Sequence, residues 1–168
     1  LLIIYDNAKM IKIPTFVKWA GGKNQLIKQY TKLYPKKFNN YFETFLGSGA
    51  IFFYIKQKYN PKTCFLFDIN KDLIDTFKSV KSKPKKLIRL LREHKAKDNS
   101  REYFNAQRKR FNEIKTSLEK SALFIYLNKT CFNGLYRVNS KGEFNVPFGK
   151  YKNPAILQED KLREASQL

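Results

Sequence analysis

Histidine occurs once, at His94, and cysteine twice, at Cys64 and Cys131. Neither cysteine stands at the spacing of a paired metal ligand, so no His/Cys metal site is expected. Two isolated thiols suit a reduced, cytoplasmic protein and exclude a disulfide framework. Long apolar runs are missing as well. The apolar opening, Leu1 to Ile4, is too short for a signal-peptide core, and nothing approaches the ~20 residues of a membrane span. A soluble protein without a membrane partner is therefore expected. Methionine is as scarce as histidine: the one methionine is Met10, while the chain begins with leucine. Translation starting at Met10 is expected, with residues 1–9 an upstream extension, which the mass of the native N-terminus would test.

Acidic residues are few, 14 against 34 lysines and arginines, for a formal charge of +20. Such an excess repels itself in a compact chain and favours a polyanion, nucleic acid above all. A lysine-rich proteome would give the same composition, and charge alone names no chemistry. What is plentiful is apolar side chain, at 42% with 15% aromatic, which excludes a disordered chain. A length of 168 residues fits one domain with its own core.

The loop Lys18-Trp19-Ala20-Gly21-Gly22-Lys23 precedes a helical pattern with Leu26, Ile27, Tyr30 and Leu33 on one side, ended by Pro35. Residues 40–45 (NYFETF) read as a short strand running into Leu46-Gly47-Ser48-Gly49-Ala50, then an apolar helix over 51–58. After the Asn60-Pro61 turn, residues 63–67 (TCFLF) have the continuous apolar character of a strand buried on both faces, with Asp68 at its end. Strand, glycine loop, helix, strand and acid form a βαβ unit of a doubly wound sheet. From Lys71 to residue 127 the pattern is helical without a strand, and reads as a module inserted into the α/β domain. The apolar stripes are Leu73, Ile74, Phe77 and Val80, then Leu87, Ile88 and Leu91 behind Pro84. A basic amphipathic stretch over 101–116 and a more buried helix over 118–127 follow. Residues 136–151 look like a hairpin, with Tyr136 and Val138 alternating before a turn at 139–142 and Phe144, Val146 and Phe148 after it.

Glycines at 47 and 49 let backbone approach a ligand, and the next helix offers free N–H groups. Asp68, 19 positions after Gly49, stands where an acid accepts hydrogen bonds from a ribose diol. A tight turn with a helix-capping aspartate gives the same spacing, so this signal does not decide by itself. Trp19, bracketed by Lys18 and Lys23 and followed by two glycines, suits a ligand with a carboxylate and an aromatic base. A core tryptophan beside a surface lysine fits that stretch too.

Residues 16–23 (FVKWAGGK), 42–50 (FETFLGSGA), 127–139 (LNKTCFNGLYRVN) and 142–154 (GEFNVPFGKYKNP) together resemble the Dam-like (D12 class) family of DNA adenine-N6 methyltransferases. The likeness runs in order from about residue 14 to 157. It implies an α/β fold: an incomplete Rossmann-like S-adenosylmethionine-dependent methyltransferase with an inserted helical and hairpin DNA-recognition module. By the same resemblance Trp19 and Lys23 contact S-adenosylmethionine, Glu43 and the Gly47–Gly49 turn lie against its methionine end, and Asp68 binds its ribose. Phe132, Asn133, Leu135, Arg137 and Asn139 match the family's recognition segment, with Pro147 and Lys150 in the return strand. Arg137 suits a bidentate contact with guanine in double-stranded DNA. Phe132 suits a wedge between bases, or equally a core aromatic. The lysine-rich helices suit phosphate contacts, or simply a solvated face. The family's usual target is adenine in GATC.

Members of this family hold the flipped adenine's amine with an Asp/Asn-Pro-Pro-Tyr/Phe tetrapeptide. No Pro-Pro pair occurs here, and the nearest string, Asn153-Pro154-Ala155-Ile156, lacks the second proline and the aromatic. No catalytic residue is therefore assigned. The chain is expected to be inactive alone and only partly stable, with exposed apolar sheet surface, as a truncated product, a fragment or one half of a split enzyme with a complementary C-terminal piece. The expected division is an N-terminal extension at 1–12, the cofactor-binding part at 13–80, the target-recognition module at 81–157, and the start of a return to the catalytic domain at 158–168. Two rival readings remain. One is a non-catalytic basic DNA-binding fragment that ignores S-adenosylmethionine. The other is a dinucleotide-dependent oxidoreductase, which leaves the Trp19 loop and residues 127–154 without a role.

Overall fold

The computed structural model describes residues 11–168, so the expected start at Met10 and the extension before it lie outside the described residues. The first expected helix shrinks to a 3-10 turn, Lys23–Leu26, and one α-turn, α1 (Ile27–Tyr30). The Leu33 N–H reaches back only three residues to the Tyr30 carbonyl, 2.8 Å, which tightens and closes the helix before Leu33 can join its apolar side. Leu33 is left exposed.

Strand β1 (Asn40–Glu43) pairs in parallel with β2 (Thr63–Leu66), Phe42 opposite Phe65, through the crossover helix α2 (Ala50–Tyr59). This is the alternation the glycine turn and apolar runs predict. Residues 50–55 of α2 are all buried. The expectation that residues 63–67 are buried on both faces is not met. Cys64 and Leu66 pack inward, but Phe65 is 40% exposed and stacks on Phe42, 60% exposed, with ring centroids 4.5 Å apart. Among the described residues no layer covers that second face, so the strand's apolar side chains meet only each other.

The helical run is α3 (Lys71–Ser82), α4 (Pro84–Lys95), α5 (Arg101–Glu113) and α6 (Leu118–Thr130), closed by α7 (Glu159–Gln167). Three starts are fixed by side-chain caps: Asn70, Ser100 and Ser117 accept from the N–H groups of Leu73, Tyr103 and Lys120. Pro84 begins α4, where its missing N–H costs nothing. Helix α6 is buried from Ser121 to Thr130 because α3, α4 and α5 pack around it. Helix α7 lies against α3 and α4, tied by Arg92 to Glu159 at 2.7 Å.

Residues 136–151 do turn back at 139–142, but not as a regular hairpin. Only isolated bridges join Val138 to Phe144 and Cys131 to Phe148. Around the Val138 bridge the Asn139 N–H donates to the Glu143 carbonyl at 2.9 Å and the Asn145 N–H to the Arg137 carbonyl at 3.1 Å, and the pairing goes no further. Between these bonds the Phe144 N–H and carbonyl point away from Val138, and the Asn112 side chain of α5 takes them, accepting at 2.9 Å and donating at 3.1 Å. Pro147, without an N–H, removes the next donor in that register.

Candidate functional site

A cleft of about 660 Å³ opens beyond the carboxyl ends of both strands. Its walls come from three stretches: the Trp19–Lys23 loop, the Leu46–Ser48 turn after β1, and residues 68–72 after β2. Tyr136, Val138 and Gly142 close the fourth side. The structure thus gathers Trp19, Lys23, Gly47 and Asp68 around one space.

Gly47 has φ +54°, and a Cβ there would stand 2.9 Å from Trp19 Cδ1. Glycine is what allows the turn and the indole to approach each other. The Trp19 ring packs at 27° to Phe124 of α6 and to Tyr136, with centroids 6.2 and 5.9 Å away. Trp19 is therefore both an anchor and a wall, and the two readings of it are compatible. Asp68 accepts the Gly47 N–H on Oδ2 and the Asn70 N–H on Oδ1, each at 2.9 Å. One lone-pair direction on each oxygen remains for another donor. The Lys23 ammonium donates to Glu43 Oε1 at 3.0 Å and to the Phe45 carbonyl, leaving one N–H.

Two of the expected residues stand behind the cleft rather than on it. Glu43 is only 6% exposed, and its oxygens are taken by Lys23 and by the Tyr41 hydroxyl at 2.9 Å. It reaches the cleft through Lys23. Gly49 is buried, and a Cβ there would press on Phe77 and Phe53, so it serves packing of α2 while Ser48 lines the cleft.

Ile69, Asn70, Asp72, Tyr136 and Val138 line the cleft too, although the sequence marks none of them as a binding residue and Tyr136 and Val138 only as hairpin positions. Asp72 follows Asp68 by four positions, in the first turn of α3. Tyr136 donates to Asp72 Oδ2 at 3.2 Å, and Lys120 pairs with Asp72 Oδ1 at 3.4 Å. Burial, then the Asp72 charge, push the Tyr136 hydroxyl well above the usual tyrosine value. It stays a donor at any neutral pH.

The second set of expected residues occupies the surface beside this cleft. Phe132 is 51% exposed, which excludes the core reading of that ring. Asn133 and Lys150 are exposed at positive φ, and Leu135, Arg137 and Pro147 are exposed too. The Phe132 N–H donates to the Pro147 carbonyl at 2.8 Å, joining the two segments. Arg137 is braced by Asn145, Nε to Oδ1 at 2.7 Å. Asn139 is used internally: its Oδ1 accepts the N–H groups of Lys141 and Glu143, and its Nδ2 donates to Glu143 Oε2. Buried Asn128 links both sets. Its Oδ1 accepts the Lys18 N–H at 2.7 Å, and its Nδ2 donates to the carbonyls of Lys18 and Gly134 at 2.8 and 3.0 Å.

Parallel strands, a glycine turn, an acid after the second strand and a cleft at the strand ends define an α/β protein built to take a ligand at its strand termini. The chain belongs to the D12 class of N6 adenine-specific DNA methyltransferases, a family of enzymes, which it matches over residues 19–168. It is 41% identical to the type II methyltransferase M.MjaIII of Methanocaldococcus jannaschii, over 94% of this chain and 60% of that protein. It is 42% identical to a DNA adenine methylase of Haemophilus influenzae, over 91% of this chain and 52% of that protein. A type II methyltransferase of Lactococcus lactis subsp. cremoris is 38% identical, over 94% and 55%. The chain thus spans between half and three-fifths of the length of these relatives. No helix among the described residues is long and apolar enough to cross a membrane.

Proposed function

We propose that this chain carries the S-adenosylmethionine pocket and the DNA-reading surface of an adenine-N6 methyltransferase acting on duplex DNA, with GATC as its site. The observation that carries the reading is the convergence of Trp19, Lys23, Gly47 and Asp68 on one cleft. The residues fit the cofactor chemically. Lys23 keeps one N–H for a carboxylate, Asp68 keeps acceptor positions for a diol, and the indole offers a flat wall for a base. Asp68 and Asp72 face a cationic ligand centre favourably. Bound there, S-adenosylmethionine supplies an electrophilic methyl group.

Residues 13–80 form the cofactor-binding part in this reading, and 81–157 the target-recognition module of a Rossmann-like methyltransferase. Phe132, Asn133, Leu135, Arg137, Pro147 and Lys150 face duplex DNA, Arg137 reading guanine and Phe132 wedging beside the target base. Asn139 contributes by fixing the turn that presents Arg137. The Asp/Asn-Pro-Pro-aromatic tetrapeptide that grips the adenine amine has no counterpart among the 168 residues. Methyl transfer then needs that tetrapeptide from outside these 168 residues, and in this reading residues 158–168 lead toward it.

Calorimetric titration tests the pocket. S-adenosylmethionine is expected to bind, NAD is not, and Asp68→Ala is expected to abolish the heat. Equal binding of NAD, or an undiminished signal from Asp68→Ala, would overturn the assignment.

A further inference from the structure

Lys23 is held by a carboxylate that is itself held from behind. Positions two apart in a strand share a face, so Tyr41 and Glu43 of β1 stand side by side. Tyr41 is half-buried, packed between the main core and the aromatic cluster that includes Tyr34 and Phe38. Its hydroxyl donates to Glu43 Oε2 at 2.9 Å, while Glu43 Oε1 accepts from the Lys23 ammonium at 3.0 Å. Burial, then the Glu43 charge, hold the Tyr41 hydroxyl far above the usual tyrosine value, so it remains a donor. The two donors divide the carboxylate between them. Without the hydroxyl, Oε2 of a buried carboxylate loses its partner, which is costly, and among the described residues Lys23 is the donor already in reach. Serving both oxygens would draw the ammonium down onto Glu43. It would also leave the undivided carboxylate charge beside any anion that Lys23 receives.

We propose that Tyr41 is a positioning residue for the cleft: by holding Glu43 Oε2 it keeps the Lys23 ammonium available to a ligand carboxylate. Lys23 lines the cleft, and Tyr41 and Glu43 stand behind it, so the effect passes through Lys23. The role of Tyr41 rests on the nucleoside pocket proposed above, and adds to that pocket a residue that touches no ligand. It also selects one end of the ligand. The carboxylate of the amino-acid end feels Tyr41, whereas a ribose at Asp68 and a base at Trp19 do not.

The test is calorimetric titration of the 168-residue chain with two ligands. One is S-adenosylhomocysteine; the other is S-adenosyl-3-thiopropylamine, the same molecule without its carboxylate. Tyr41→Phe keeps the packed ring and removes the hydroxyl from Glu43. It is expected to weaken S-adenosylhomocysteine by about fivefold or more and to leave the amine near its wild-type affinity. In a Lys23→Met background, where the ammonium is gone, Tyr41→Phe is expected to cost nothing further. A tyrosine that merely stabilises β1 would weaken both ligands alike in either background, and that result overturns the proposal. So does a Tyr41→Phe variant that binds S-adenosylhomocysteine as tightly as the wild type. A wild type that binds the amine as tightly as S-adenosylhomocysteine, or more tightly, removes Lys23 as the carboxylate's receptor and Tyr41 with it, while the nucleoside pocket stands. A wild type that binds neither ligand removes the pocket as well, which separates the two failures.

Discussion

Lys129 is a charge placed where charges are costly. It is 6% exposed at the end of α6, and its ammonium donates to Gln158 Oε1 at 2.9 Å. Among the described residues no carboxylate pairs with it. Burial, with the charges of Lys161 and Lys18 adding to it, lowers its pKa from 10.5 to about 8. Between pH 8 and 10.5 the unfolded chain keeps a proton here that the folded chain has released. Stability attributable to this residue therefore rises with pH across that window, and below it the full cost of the buried charge is felt. Cys131 opposes the trend above pH 9, because burial raises its thiol to about 11 and the unfolded thiol ionises first. Lys129→Met isolates the lysine, since it keeps the stem and drops the charge. Urea denaturation is expected to find the variant more stable at pH 7, by on the order of 3 kcal/mol at ~1.4 kcal/mol per pH unit. The advantage should fade toward pH 10.5. A variant less stable at pH 7, or a difference that does not move with pH, contradicts this account. Nothing in residues 127–139 marks Lys129 as buried, because its burial is imposed by α7 and the segment leading to it. The same limit hid Tyr136 and Asp72, which are 64 positions apart and meet only in the fold. Trp19, Lys23 and Asp68 were legible because motif and spacing singled each one out locally.

At the level of elements, local rules worked where an element's partners lie nearby in the chain. The caps at Asn70, Ser100 and Ser117 and the proline opening of α4 begin helices where sequence rules place them. They failed where strand pairing lacks its next donor. The return strand after the 139–142 turn has an alternating pattern, yet Pro147 has no N–H to continue its pairing, and Asn112 of α5 holds both outward backbone groups of Phe144. This makes α5 a lateral support for the segment that mounts Arg137. Asn112→Ala is expected to cost about 1 kcal/mol in stability, as two hydrogen bonds near the surface pass to water. Its more telling effect is local. The Phe144 amide should exchange with solvent faster, while amides of α2 keep their wild-type protection. Hydrogen exchange followed by NMR resolves the two regions. Unchanged protection at Phe144 would mean that Val138, its bridge partner, holds the strand without help from α5.

On the scale of the whole molecule, two surfaces respond to salt in opposite ways. The chain carries a formal +20, so contact with DNA phosphates releases counterions and weakens as salt rises. The uncovered sheet face carries Phe42 and Phe65, with Phe45 and Phe67 exposed nearby, and it is driven together by apolar burial. Covering two phenylalanines contributes about 2 kcal/mol apiece, enough to bring copies together weakly when little opposes it. What opposes it is the mutual repulsion of two basic chains, which salt screens within about 10 Å at 0.1 M. Self-association of this chain is therefore expected to strengthen with salt, over the same range in which duplex binding weakens. Replacing both rings, Phe42→Thr with Phe65→Thr, keeps residues suited to a strand and removes the stack. Sedimentation velocity at tens of micromolar chain should show the wild type moving toward dimers and larger species as salt is added, and the double variant remaining monomeric. Duplex affinity should be the same for both, because neither ring is among the residues proposed to face DNA. Association that falls with salt, or that survives the double substitution, would place the contact on the charged surface instead of the sheet.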